Sequence, residues 1–105
     1  MSFTVVFTDR ARTDLRSIYT YIAFTLQSRL NADRQLARIE KEIMSLAEMP
    51  ERYKRLPLDL GIKDNVRMVS VDHYSVIYHV GKKPDTVQIL RILYGGRDFK
   101  SALDE

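Results

Sequence analysis

The sequence predicts an α+β domain, ordered β-α-α-β-β-β, with an N-terminal helical hairpin packed on a small, mostly antiparallel sheet. Three observations predict it: a β-branched run near the start, apolar residues at helical spacing through the first half, and strand-like runs from residue 65 onward. The 105 residues are 45% hydrophobic and 30% charged. That balance suits a single folded domain, 1–105, and excludes disorder and fibrous repeats.

Each element has a local cause. Phe3–Phe7 (FTVVF) is β-branched and aromatic, so it reads as a strand. Thr8 offers a side-chain oxygen to cap a helix, and Asp9 complements the helix dipole in the first turn. Ala11, Leu15, Ile18, Ile22 and Leu26 then mark one apolar face of a helix running to about Leu26. Ser28 caps a second helix, whose face carries Ala32, Leu36, Ile39, Ile43 and Leu46 and which ends at Met49-Pro50. So short a connection makes the two helices an antiparallel hairpin.

The second half reads as three strands, Asn65–Val71, Tyr74–Val80 and Thr86–Tyr94, joined by the turn-like Asp72-His73 and Gly81–Asp85. Val87–Leu93 is apolar on both faces, which predicts a central strand. Beyond Gly95-Gly96, residues 97–105 form a short tail with one helical turn around Phe99 and Leu103.

Composition excludes several chemistries. Without cysteine there are no disulfides, thiolate metal sites or thiol catalysis. His73 and His79 have no acidic neighbours at ligand spacing, so neither a metal nor a cofactor is expected. No apolar run approaches the roughly 18 residues of a membrane span, and Met1–Thr4 does not open a signal segment. The expectation is a soluble, cytoplasmic protein with no membrane partner.

The net charge is only +3. Between residues 52 and 67, however, Arg52, Lys54, Arg55, Lys63 and Arg67 face only Asp59 and Asp64. Such a segment suits nucleic acid, an acidic partner or an ordinary solvated loop. Arg67, Tyr74, Tyr78, Arg91, Tyr94 and Arg97 recur near the strand ends. Arginines there could clamp phosphates and aromatics could stack on bases. In the plainer reading, Tyr74 and Tyr78 are half-buried with outward hydroxyls, Arg91 pairs with an acid across the sheet, and Asp98 pairs with Arg97.

A resemblance then narrows the reading. Ala11-Arg12-Thr13-Asp14-Leu15 with Ile18, Tyr21-Ile22-Ala23 and Met49-Pro50-Glu51-Arg52 resembles the first half of RelE/ParE-superfamily toxins. Val66-Arg67-Met68, Tyr74–Tyr78 and Ile89–Asp98 are similar to the second half. The resemblance implies a RelE/ParE-like fold and the toxin of a bacterial type II toxin–antitoxin pair, with a cognate antitoxin encoded beside it. The superfamily divides between ParE-like binders of DNA gyrase and RelE-like endoribonucleases that cut mRNA on the ribosome. The ending Tyr94-Gly95-Gly96-Arg97-Asp98 is ParE-like in length, although Tyr94 stands where a histidine is often found and Phe99 where the RelE-like branch would use a tyrosine. The reading leans ParE-like. In the RelE-like alternative, Arg67, Arg91, Tyr94 and Arg97 would be catalytic without a metal. For partner or nucleic-acid binding the resemblance and charge select Arg52, Lys54, Arg55, Lys63, Arg67, Asp98 and Phe99. An apolar groove where the hairpin meets the sheet would receive the antitoxin.

Overall fold

The structure, a computed structural model, describes residues 2–56 and 65–95. Strand β1 (Thr4–Phe7) leads into helix α1 (Asp9–Thr20), a π-helical turn (Tyr21–Thr25) and helix α2 (Arg29–Ser45). A short 3₁₀ turn (Pro50–Arg52) precedes strands β2 (Val66–Val71), β3 (Tyr74–Gly81) and β4 (Thr86–Tyr94). The sheet order is β1-β4-β3-β2. β1 runs parallel to β4, and the other pairs are antiparallel. β4 is therefore an interior strand, as its apolar faces predict. Among the described residues, no helix is long and apolar enough to cross a membrane.

The expected caps form. The Thr8 hydroxyl accepts from Ala11 N, and the Ser28 hydroxyl accepts from Asn31 N. The first helix departs from expectation at its end. Leu26 N donates to Tyr21 O at 3.0 Å, a span of five residues that widens the last turn. The extra residue rotates the apolar face, so Ile22 and Ala23 are buried in succession while Leu26 is 55% exposed. Gln27, at φ 55°, reverses the chain in the left-handed region, and Ser28 N closes the turn on Ile22 O.

The main core lies between the hairpin and the sheet. Ala11, Ile39, Ile43 and Leu46 pack there on Val76, Tyr78, Val87 and Ile89. On the opposite sheet face Val66, Ile77, Leu90 and Leu93 form a second cluster. A β-bulge lies between them: Ile77 pairs with Arg91 and Tyr78 with Ile89, leaving Leu90 unpaired. This shift puts Ile89 and Ile92, three residues apart, in the same core, and it hid the alternation of β4 from the sequence.

Tyr78 also departs from the half-buried, outward-facing expectation. It is completely buried, and its hydroxyl donates to Pro50 O at 2.7 Å. The core closes over the ring because the chain leaving α2 supplies a carbonyl acceptor inside it, so no water is needed.

Two predictions follow from this packing. Ile39→Asp puts an unpaired carboxylate at a fully buried site and should abolish the cooperative melt seen by circular dichroism, whereas Ile39→Val should cost only about 1 kcal/mol. Desolvation raises the Tyr78 pKa from 10.0 to about 12, so the folded state holds this proton more tightly than the unfolded chain. Its contribution is complete below pH 10 and is lost as pH rises from 10 to about 12. Urea titrations should show the stability advantage over Tyr78→Phe shrinking in that window by about 1.4 kcal/mol per pH unit.

Candidate partner-binding cleft

Where β1 ends, α1 takes over the adjoining edge of β4. Thr8 N and its hydroxyl both donate to Ile89 O, and the hydroxyl also reaches Leu90 O. One turn on, the Asp14 carboxylate accepts from Ile92 N at 2.9 Å and from Arg91 Nε and Nη2 at 2.9 and 3.1 Å. The Arg91 and Asp14 side chains are only 11% and 14% exposed. Arg91 thus pairs with an acid on the helix above, not with one across the sheet. The bulge beside it re-aims the guanidinium toward α1.

Anchored this way, α1 stands beside α2 and the ends of β3 and β4 to frame a cleft of about 910 Å³. Ile18, Ile22, Tyr74, Ile92 and Leu93 supply apolar lining. Tyr21 and Tyr94 add aromatic surface, 53% and 62% exposed, and Tyr94 meets Tyr74 edge-on at 5.5 Å. Arg34, Gln35 and Arg38 of α2 form a polar rim. From the β2–β3 turn, Asp72 accepts from Gln35 Nε2 at 2.9 Å and Arg38 Nε at 2.7 Å. The Arg38 and Gln35 donors hold the Asp72 carboxyl below its usual range.

The residues expected at the site from the sequence separate into groups. Arg67 is braced at the start of β2: Nε donates to Asn65 Oδ1, and Nη1 donates to Tyr53 O at 2.7 Å and Glu51 O at 3.2 Å. The Asn65 amide, with Lys82 and Arg67 nearby, lowers the Glu51 pKa against the opposing effect of burial. Arg52 closes the C-terminal end of α2, donating to Glu48 O at 2.6 Å and Ser45 Oγ at 2.8 Å while stacking on Tyr53. Tyr53 donates in turn to Glu42, which raises the Tyr53 pKa. Lys54 and Arg55 are exposed, and Arg55 bridges Arg67 through the backbone. Tyr94 lines the cleft, whereas Arg67 and Arg91 are drawn to different neighbours, Tyr53 and Asp14. Lys63, Arg97, Asp98, Phe99 and the expected turn around Phe99 and Leu103 lie outside the described residues. Sequence reasoning missed Arg34, Gln35 and Arg38, although their three- and four-residue spacing beside the apolar stripe was a usable signal.

Comparison with known proteins bears on this arrangement. The family model described as the ParE toxin of the type II toxin–antitoxin system parDE matches residues 5–99. The chain belongs to the ParE toxin family. It is thereby the toxin component of a type II toxin–antitoxin system. A search of curated proteins gives no significant match. Among solved structures, this ParE-family chain is similar to the chromosomal ParDE system of P. aeruginosa, with a TM-score of 0.73 and 22% identity over 90% of this chain and 98% of that one. It is also similar to the toxin–antitoxin complex RelBE2 of Mycobacterium tuberculosis (TM-score 0.67, 25% identity, 90% and 92% covered). An E. coli RelE mutant in the free state shares the fold at a TM-score of 0.60 and 14% identity, with 90% and 84% covered.

The shielded tie between Asp14 and Arg91 yields a stability prediction. Asp14→Ala leaves a largely buried guanidinium and Ile92 N without their carboxylate, and should cost about 3–5 kcal/mol in urea denaturation. Replacing both partners, Asp14→Leu with Arg91→Met, should recover much of that loss.

Proposed function

We propose that this toxin inhibits growth in the cytoplasm by binding DNA gyrase, and that a cognate antitoxin neutralises it by seating a segment in the cleft. The observation that carries the reading against RNA cleavage is the engagement of Arg91 by the Asp14 carboxylate, which Ile92 N also holds in place. A catalytic arginine must meet the charge that develops on the reacting phosphate, and a guanidinium held at 2.9 and 3.1 Å by an internal carboxylate already has a partner. Arg67 is similarly occupied by Tyr53 O, Glu51 O and Asn65. Membership of the ParE family supports the same choice.

The cleft supports the antitoxin half of the reading. Its apolar lining and arginine rim suit an amphipathic segment carrying acids along one side. The toxin–antitoxin complexes among its structural relatives support a partner of this kind. Lys54, Arg55 and Lys63, together with Arg97, Asp98 and Phe99, are assigned to contacts with gyrase.

The purified chain should block gyrase supercoiling and leave ribosome-bound mRNA intact. Addition of the antitoxin, the product of the adjoining reading frame, should restore supercoiling. Arg34→Glu with Arg38→Glu should weaken antitoxin binding at least about tenfold by calorimetry, because each reversal repels an acid at the rim. Cleaved messages with mapped ends, alongside unaffected supercoiling, would establish the RelE-like activity instead.

A further inference from the structure

Two guanidinium groups stand four residues apart on α2 at the rim of the cleft, Arg34 and Arg38, and the chain treats them differently. Residues at that spacing share a helix face. Among the described residues, Arg34 makes no hydrogen bond or ion pair, whereas Arg38 Nε donates to Asp72 Oδ2 at 2.7 Å. The same oxygen accepts from Gln35 Nε2 at 2.9 Å. Asp72 is the first residue of the two-residue turn that joins Val71 of β2 to Tyr74 of β3. Its φ of 55° lies in the left-handed region, which Asp and Asn enter more readily than other side chains. Asparagine would therefore build this turn equally well and still accept from Gln35. What aspartate adds is charge, and that charge goes to a rim cation. The pair is exposed, at 53% for Arg38 and 40% for Asp72, so it contributes little to folding. Among the described residues, the two terminal nitrogens of Arg38 have no partner, so an incoming carboxylate can take hold before Asp72 lets go.

We propose that Asp72 is a built-in competitor of the antitoxin: its carboxylate occupies Arg38 until an acidic side chain of the antitoxin segment displaces it. Arg34 and Arg38 then act as a paired receptor for acids only in the complex. The inference rests on the antitoxin reading above and gives that site a specificity-determining residue. A neutralised rim cation attracts an acid less than a free one, so Asp72 lowers the affinity for every acidic segment. A segment with one acid is met by Arg34 alone. Only a segment with a second acid placed for Arg38 gains from the exchange, and the difference discriminates between partners.

Calorimetric titration at low salt, with the purified chain and the product of the adjoining reading frame, tests this. Asp72→Asn should keep the melt within about 5 °C of the parent and tighten the complex about threefold or more. In an Arg38→Gln chain, whose complex is weaker from the outset, the same Asp72→Asn change should no longer tighten binding. That coupling separates competition for Arg38 from plain repulsion between Asp72 and an acidic partner, which survives the loss of Arg38. Unchanged or weaker binding by Asp72→Asn, or a gain that persists without Arg38, would overturn the competitor and leave the cleft reading standing. Failure of the two proteins to associate would overturn both.

Discussion

The fold depends on two side chains, Thr8 and Asp14, taking over where a strand stops. β1 pairs with β4 only as far as Phe7 opposite Ile89, which leaves the adjoining edge of β4 without a strand partner. Thr8 and Asp14, from the cap and second turn of α1, satisfy that edge through Ile89 O, Leu90 O and Ile92 N. The same Asp14 carboxylate neutralises Arg91. This seats α1 at one place along β4 and so sets where Ile18 and Tyr21 stand in the cleft wall. Desolvation makes the tie sensitive: the intact pair contributes modestly, but a single remaining partner is costly.

The arginines explain why local charge was a poor guide to the binding surface. Arg52 and Arg67 belong to the basic stretch around residues 52–67, yet each spends its donors on backbone carbonyls of this chain. A guanidinium offers five fixed donors, well suited to closing a helix end or bracing a loop where several carbonyls converge. The cleft instead takes its cations from α2. Arg38 there is held by the exposed Asp72, a pairing weak enough for an incoming carboxylate to replace. The binding surface is thus set by which arginines the fold leaves at the surface, and their density along the chain does not reveal it.

The sequence by itself determined the elements whose causes are local. Thr8 and Ser28 cap their helices, Ala11, Ile39 and Ile43 mark the buried helix faces, and Asp72-His73 turns the β2–β3 hairpin. Each of these is decided within a few residues, by a cap, a period or a turn. Family membership was legible for a related reason, since the matching residues occur in order along nearly the whole chain. Only the tertiary structure decided the rest. Asp14 and Arg91 are 77 positions apart, Tyr78 and Pro50 are 28 apart, and the β4 bulge masks the alternation that would have placed Arg91. Whether an arginine braces the fold or meets a partner depends on which distant acceptors packing brings to it and how much water packing removes, and neither quantity is carried by local spacing.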